Sequence, residues 1–241
     1  AKFFSLSSFI ILIGILLGLA FLAPENKGYI QSTRLQKFLP PISLSWLISS
    51  IFFLLSEVAF ILNVTVTEVI NGNILRSFVS QTILGKLYAI QIIAAFICVL
   101  IAVRIKKTGG AVFLIFVAWI GGLAPYLESH GSNAGNHMLA IGLVIVHVAA
   151  ISLWFGGVIA LFLMPKSDRE IARKRFTPLA LWCVSAIALT GVVNAFIRIG
   201  SFANIRSDYG LLVILKTLIL IFVLALVAQG RKKLGEQNFT K

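Results

Sequence analysis

Seven long apolar segments dominate this sequence and limit the folds open to it. A helix that crosses the hydrocarbon core of a bilayer needs about 20 mostly apolar residues. Segments of about that length recur along the 241 residues, separated by turn and charge signals. The predicted spans are residues 3–23, 42–62, 84–103, 111–127, 138–164, 177–197 and 211–229. The sequence therefore predicts an all-α polytopic membrane helix bundle, with residues 1–241 forming a single transmembrane domain.

Composition excludes the soluble and disordered classes. Apolar residues make up 59% of the chain and charged residues 12%, whereas about a quarter of an ordinary soluble domain is charged. The net charge of +13 would suggest nucleic-acid binding in a soluble protein. Here the Lys and Arg residues lie between apolar segments, where such residues orient membrane helices. We therefore predict a lipid bilayer environment and no nucleic-acid partner.

The distribution of positive charge also predicts an orientation. Fifteen of the 21 Lys and Arg residues fall in every second connecting segment and in the carboxyl-terminal tail. Because cytoplasmic segments carry the excess of Lys and Arg, the amino terminus is predicted outside and the carboxyl terminus inside. The chain begins Ala1-Lys2 without an initiator Met, and its first span lacks the basic flank of a signal peptide. We expect a further extracellular segment before residue 1.

All three histidines lie in one stretch of the sequence. His130 and His137 fall in the predicted outer loop before the fifth span, and His147 falls within that span. Ten helical residues separate His137 from His147 by about 15 Å and turn them about 80° apart, so they cannot chelate one ion from a regular helix. We interpret them as successive metal stations, with Met138 beside the outer ones. The alternative for His147 is a neutral imidazole that hydrogen bonds to a neighbouring helix.

Glu57 is the only acidic residue well inside a predicted span. Its expected depth, in the outer half of the membrane, is close to that of His147. A carboxylate and an imidazole are both ordinary ligands for transition metals, so this pair is predicted to share a proton or a metal ion. The alternative is that Glu57 pairs with Lys86 or extends its carboxylate to the membrane interface.

Sulfur ligands are scarce, and three of them fall in the predicted inner half of the membrane: Cys98, Cys183 and Met164. Thiolate and thioether ligands favour monovalent copper. These residues permit an inner metal site. The alternative is that both cysteines are small buried hydrophobic residues.

Two glycine pairs, Gly121-Gly122 and Gly156-Gly157, lie within predicted spans. Small residues allow membrane helices to approach closely, so the pairs are predicted to mark helix contacts. The sequence contains no Walker glycine loop and no arrangement of residues suited to hydrolysis. We therefore predict that the protein is not an enzyme.

The second half of the chain carries a spaced series of short motifs. They are Ser129-His130, His137, His147, Trp154-Phe155-Gly156-Gly157, Arg175-Phe176-Thr177, Thr190-Gly191 and Tyr209-Gly210. In these motifs the chain resembles the copper resistance D (CopD) family of bacterial inner-membrane proteins. The resemblance runs from about residue 129 to 231, and the first half matches only in general character.

This resemblance implies copper transport across the bacterial plasma membrane, with uptake favoured over export. It implies that copper is bound by His130, His137 and His147, to which the reasoning from residue types adds Glu57 and Met138. Some members of the family resemble an importer fused to an extracellular copper-binding CopC-like domain. A domain or protein of that kind is therefore an expected partner.

Two other functions remain open at this point. One is a b-type haem membrane redox protein, which uses axial histidines to hold the haem iron. Three histidines on one helix and its preceding loop argue against it, because helix bundles hold haem between facing helices. The other is a partner that delivers copper to another membrane enzyme, or assists its assembly, without transporting copper itself.

Overall fold

The computed structural model describes residues 1–26, 28–71, 73–128, 137–199, 210–215, 217–222 and 225. Six helices in this part of the chain are long and apolar enough to cross a membrane: Lys2–Leu22, Thr33–Leu62, Ile83–Ala102, Thr108–Glu128, Met138–Leu163 and Arg169–Ala195. The predicted all-α membrane bundle is confirmed. The seventh predicted span, 211–229, falls partly outside the described residues, and a shorter apolar helix covers Gly210–Phe222.

The secondary structure elements follow one another with short connections. They are α1 (Lys2–Leu17), a π-helical turn (Gly18–Leu22), β1 (Glu25–Asn26), β2 (Tyr29–Ile30), α2 (Thr33–Leu62), α3 (Val66–Asn71), α4 (Ile74–Gln81), α5 (Ile83–Ala102), α6 (Thr108–Leu123), a 3-10 turn (Ala124–Glu128), α7 (His137–Leu163) and α8 (Arg169–Ile199). The two strands form a small antiparallel hairpin in which Glu25 is opposite Ile30.

Helix α1 lies at the centre of the first part of the chain. It packs against α2, α6 and α7, and α5 closes the group by packing against both α2 and α6. Four large side chains of α1 are completely buried: Leu12, Ile13, Ile15 and Leu16. The outward faces of the surrounding helices are also apolar, with Phe52, Phe116 and Phe162 more than half exposed. Both faces are apolar because a membrane helix meets lipid on its outer side.

Two glycines allow α1 and α7 to cross closely. A Cβ atom added to Gly14 would overlap the backbone of Gly156, and one added to Gly156 would overlap the backbone of Ile10. Gly157 is covered in the same way by the ring of Phe176 on α8. The predicted role of the Gly156-Gly157 pair in helix packing is confirmed.

The pair on α6 serves the same purpose. A Cβ atom on Gly121 would overlap the side chain of Ala94 on α5, and one on Gly122 would overlap the ring of Phe9 on α1. This pair is also confirmed as a packing site. The glycines of α6 and α7 thus bring both helices close to the central helix α1.

Three of the basic connecting segments meet at one end of the bundle. The backbone N–H of Ile30 donates to Lys106 O at 3.0 Å, and that of Thr108 donates to Gly28 O at 3.0 Å. The guanidinium of Arg175 donates to Ala23 O at 2.9 Å. The grouping on one side agrees with the charge pattern of the sequence. The outside position of the amino terminus stays a prediction.

The chain divides into two compact units, Ala1–Thr190 and Gly191–Lys241. The first unit contains α1 to α7 and most of α8, and it holds all the side chains discussed below. The prediction of one domain over residues 1–241 is not tested by this division and stays a prediction.

Candidate metal site

His147 lies in the eleventh position of α7 and is half-buried. Its Nδ1 atom is 2.8 Å from the hydroxyl oxygen of Thr190 on α8. Thr190 is buried, and its hydroxyl also lies 2.5 Å from Ala186 O, one turn earlier on the same helix. A hydrogen-bonded path therefore runs from the imidazole through a hydroxyl to the backbone of α8.

The hydroxyl group decides which nitrogen of the imidazole carries the proton. A threonine hydroxyl has one proton to donate and two lone pairs to accept with. Because the proton of Thr190 is directed to Ala186 O, the hydroxyl accepts from the Nδ1–H group of His147. In the neutral ring the lone pair then belongs to Nε2. Metal-binding histidines are commonly held in this way, with one nitrogen on the metal and the other donating to a fixed acceptor.

An apolar cluster continues the contact between α7 and α8 from this hydrogen bond towards the start of α8. Ala150, Cys183 and Ile187 form its buried core. Cys183 precedes Thr190 by seven residues, or about two helical turns, which is about 10 Å along α8. Both residues therefore face α7, and Cys183 lies on the same helix face as the partner of His147.

The outer candidates are placed only in part. His137 begins α7, so it lies in the same continuous helix as His147 and not in the outer loop that the sequence predicted. The side chain of Met138 is 81% exposed. His130 lies outside the described residues. The structure does not bring Met138 into contact with His147, and the roles of Met138 and His130 stay predictions.

Glu57 lies on α2, away from α7. It is half-buried and forms no hydrogen bond or ion pair within the described part of the chain, so the alternative ion pair with Lys86 is not formed. Helices α2 and α7 touch only slightly, because α1 packs between them. A ligand shared by Glu57 and His147 therefore stays a prediction without a direct contact behind it.

The candidates for an inner site lie in two separate places. Cys98 and Met164 are completely buried in the large apolar core cluster around α1. Cys183 belongs to the smaller cluster between α7 and α8. Among the described residues, no group of three or more His, Cys, Asp and Glu side chains lies close enough to hold a metal ion. The inner site stays a prediction, and its three members do not share one cluster.

Thr190 belongs to the Thr190-Gly191 motif, but the sequence indicates no role for its hydroxyl. A threonine inside an apolar helix commonly hydrogen bonds to its own backbone. No pattern along the chain indicates that it also faces a histidine 43 residues earlier. The sequence does place two polar residues, His147 and Thr190, in consecutive spans. Consecutive spans that are connected by a short loop are commonly neighbours, and this was the available indication of their contact.

Comparison with known proteins identifies the family. The sequence model described as "Copper resistance protein D-like, N-terminal domain" matches residues 1–133, which is more than half of the chain. The model described as "Copper resistance protein D" matches residues 170–238. The first match extends the resemblance to the half of the chain that the sequence motifs matched only in general character. His137 and His147 lie between the two matched regions.

A curated relative is similar over part of its length. The Copper transport protein CutJ of Bacillus subtilis (strain 168) is 29% identical over 115 residues, which cover 44% of this chain and 21% of that protein. The matched region thus spans about a fifth of the relative. No solved structure matches the chain. On the evidence of the two family models, this multi-pass membrane protein belongs to the copper resistance D family.

Proposed function

We propose that this protein moves copper ions across the bacterial plasma membrane, inward, and that His147 is a copper-binding station on the path. The observation that supports the proposal is the hydrogen bond from His147 to Thr190, which orients an imidazole inside a membrane-spanning helix and places the lone pair of the neutral ring on Nε2. Membership in a copper resistance family supplies the choice of metal, and the name of the CutJ relative supports transport.

The physical argument rests on the cost of polar groups in a bilayer. Ionisable side chains within membrane spans are rare and commonly mark ion or proton pathways. An imidazole is a good copper ligand. A fixed acceptor on the other ring nitrogen orients the ring and increases the basicity of the ligating nitrogen. Thr190 is placed to do this for His147.

The proposed path has three stages. Copper is captured at the outer end by His130, His137 and Met138. It then passes to His147 along α7, the helix that His137 begins. Release to the inside follows past Cys183, Cys98 and Met164. The position of Cys183 about two turns from Thr190, on the same face of α8, favours it as the first sulfur ligand after His147.

Two further components belong to the proposal. We include Glu57 as a carboxylate that assists copper binding or proton movement on the outer side. We also propose that a CopC-like extracellular domain or protein delivers copper to the outer histidines. Delivery of copper to another enzyme without transport is the competing function, and it predicts a different cellular result.

The test is copper accumulation by cells that express the full chain. His147→Ala should reduce uptake of isotopically labelled copper, at equal protein abundance in the membrane. Val146→Ala is the matched control, since Val146 precedes His147 on α7 and has a lipid-exposed side chain. Undiminished uptake by His147→Ala would refute the path. If deletion of the protein changes the loading of a copper enzyme but not the total copper content, delivery replaces transport.

A binding measurement separates the metal from its movement. Anaerobic copper(I) titration of purified protein should give about one or two ions per chain, as expected for His, Met and Cys ligands. The double variant His137→Ala, His147→Ala should bind less. Wild-type protein that binds no copper but shows a strong Soret absorption band would favour the haem alternative.

A further inference from the structure

A second group of polar side chains lies in the core of the bundle, away from His147. Ser5 on α1, Ser50 on α2 and Gln91 on α5 form what we call the core amide cluster. The side-chain N–H₂ group of Gln91 donates to both serine hydroxyls at 3.1 Å, and the two hydroxyl oxygens are 3.2 Å apart. All three residues are at least 95% buried. The cluster therefore joins three helices through polar groups that neither bulk water nor lipid reaches.

Two buried side-chain atoms, one in this cluster and one on a nearby residue of α2, have no hydrogen-bond partner in the described part of the chain. One is the carbonyl oxygen Oε1 of Gln91, and the other is the indole Nε1 of Trp46. Trp46 is completely buried and lies one helical turn before Ser50 on α2. A Cβ atom on Gly121 of α6 would lie 3.3 Å from both Gln91 Cα and Trp46 Cη2. The two residues therefore meet beside the same point of α6.

The chemistry of these two atoms limits what can satisfy them. The indole N–H only donates, and the amide carbonyl only accepts. A metal ion cannot accept a hydrogen bond from an N–H group. Monovalent copper also prefers sulfur and imidazole ligands to amide oxygen. A water molecule both donates and accepts. Lipid chains offer no partner at all, and unsatisfied polar groups in a bilayer are costly.

We propose that the core amide cluster and Trp46 form a binding site for water in the interior of the membrane domain. Water at this site accepts from Trp46 Nε1–H and donates to Gln91 Oε1, either as one molecule or as a short chain. Buried water molecules characteristically bind polar groups that the protein leaves unsatisfied. The site lies between α1, α2 and α5, whereas His147 and Thr190, at the proposed copper station, lie between α7 and α8.

The surroundings indicate how water reaches the site. Gln91 lies eight residues after the start of α5, about 12 Å along the helix, which is well inside a hydrocarbon core of about 30 Å. Tyr88 lies one turn closer to the start of α5 than Gln91 does. Glu57 lies two turns after Ser50, on the same face of α2. Polar residues of α2 and α5 thus continue from the cluster towards the start of α5. We assign the entry of water to this side.

X-ray radiolytic footprinting tests the proposal, because hydroxyl radicals formed from bound water oxidise neighbouring side chains. The full-length wild-type protein in lipid nanodiscs would be irradiated, and oxidation measured at each residue by mass spectrometry. Met164 is the internal control, since it is a reactive side chain that is as buried as Trp46 but has no N–H or O–H group to bind water. Trp46 should be oxidised several times faster than Met164. Equal or slower oxidation of Trp46 would overturn the proposal.

A variant identifies the amide as part of the site. Gln91→Leu should slow the oxidation of Trp46 towards the rate of Met164, while exposed Met138 reacts as before. Gln36→Leu is the matched control, because Gln36 lies near the start of α2, away from the core amide cluster, and donates to Ile105 O. Unchanged oxidation of Trp46 in folded Gln91→Leu would remove Gln91 from the site. If Gln91→Leu does not fold, the comparison within wild-type protein still decides the proposal, and neither measurement involves copper.

Discussion

The Nδ1 atom of His147 lies 2.8 Å from the hydroxyl oxygen of Thr190, which itself lies 2.5 Å from Ala186 O. This arrangement joins α7 to α8 through one side-chain hydrogen bond inside the membrane. It is the hydrogen bond to a neighbouring helix that the alternative for His147 expected, and the tautomer that it selects also places the lone pair on Nε2, the atom proposed to bind the metal. Both residues belong to the first compact unit of the chain.

Removal of the Thr190 hydroxyl should weaken copper binding at His147. Thr190→Val keeps the shape of the side chain but removes the acceptor for Nδ1–H, and we expect copper(I) affinity to fall about 10- to 100-fold, as is typical when such a partner of a ligating histidine is lost. Thr190→Ser keeps the hydroxyl and should retain most of the affinity. The measurement is an anaerobic competition titration with a copper(I) chelator.

The same titration of His147→Ala distinguishes a failure of the proposed Thr190 role from a failure of the proposed His147 ligand. If Thr190→Val binds copper as wild type does while His147→Ala is impaired, Thr190 has no positioning role but the copper station survives. If both variants bind copper normally, His147 is not a ligand. A loss of affinity that Thr190→Ser shares with Thr190→Val would point to packing and not to the hydroxyl.

The crossing of α1 and α7 should depend on the absence of a side chain at Gly156. Gly156→Ala places a methyl group against the backbone of α1, and we expect destabilisation of about 1–3 kcal/mol, typical of overpacking. The matched control is Gly142→Ala on the same helix, where an added Cβ has nothing within 4 Å. It should be neutral or slightly stabilising, because alanine favours the helix. Thermal unfolding in detergent measures both, and equal melting temperatures for the two variants would contradict the observed crossing.

Acid should loosen the start of α3. The Thr65 backbone N–H donates to Glu68 Oε2 at 2.7 Å, and the Glu68 N–H donates to Thr65 Oγ1 at 3.3 Å, which forms a capping box. The backbone hydrogen bond first, and the side-chain bond second, lower the pKa of Glu68 below its ordinary value of 4.5. A lowered pKa means that the stabilisation is complete above the unfolded-state pKa and is lost as pH falls through the folded-state pKa.

Hydrogen exchange of the α3 amides, corrected for the intrinsic exchange rate, measures this effect. Protection should be greater at about pH 6 than at about pH 3, because the carboxylate that accepts from Thr65 is protonated in acid. Glu68→Gln lacks the titrating group and serves as the control. It should show weaker protection at the higher pH and little change between the two conditions. An identical pH response in wild type and variant would exclude Glu68 as the cause.

Arg175 should contribute to stability through the turn that follows α1. Its guanidinium donates to Ala23 O at 2.9 Å and to Phe21 O at 3.4 Å. A hydrogen bond from a charged donor contributes about 1.5–3 kcal/mol, and solvent exposure reduces this to about 1 kcal/mol here. Arg175→Ala should therefore unfold at a lower temperature than Arg173→Ala. Arg173 is a suitable control because its side chain forms no hydrogen bond within the described residues. Equal loss in both variants would indicate a general effect of charge.

Much of the bundle followed from local properties of the sequence. The length of each apolar segment identified the spans, since about 20 apolar residues are needed to cross a bilayer wherever they occur. The glycine pairs Gly121-Gly122 and Gly156-Gly157 marked close helix contacts, because the absence of a side chain lets a neighbouring helix approach closely. This holds for any neighbouring helix. The charge pattern grouped the segments that contain Lys106, Gly28 and Arg175 at one end.

The candidate site followed from the sequence only in part. His147 was identified because a histidine inside an apolar segment is unusual, but the sequence could not show that its partner is Thr190. Glu57 was expected near His147 from depth alone, and depth does not determine which helices are neighbours. Gln91, with Ser5 and Ser50, was not recognised as a buried polar group, because nothing in its own segment separates an interior position from one that faces lipid.

The sequence by itself determined that this chain is a helical membrane bundle with its basic connecting segments on one side, and it indicated the copper resistance D family. Those properties depend on the length, composition and order of segments along the chain. Only the tertiary structure decided that His147 meets Thr190 and that Gln91 joins Ser5 to Ser50. The physical reason is that lipid and the protein interior are both apolar. The pattern of apolar residues therefore does not mark the inward face of a membrane helix, and only the packed helices reveal which polar side chains meet.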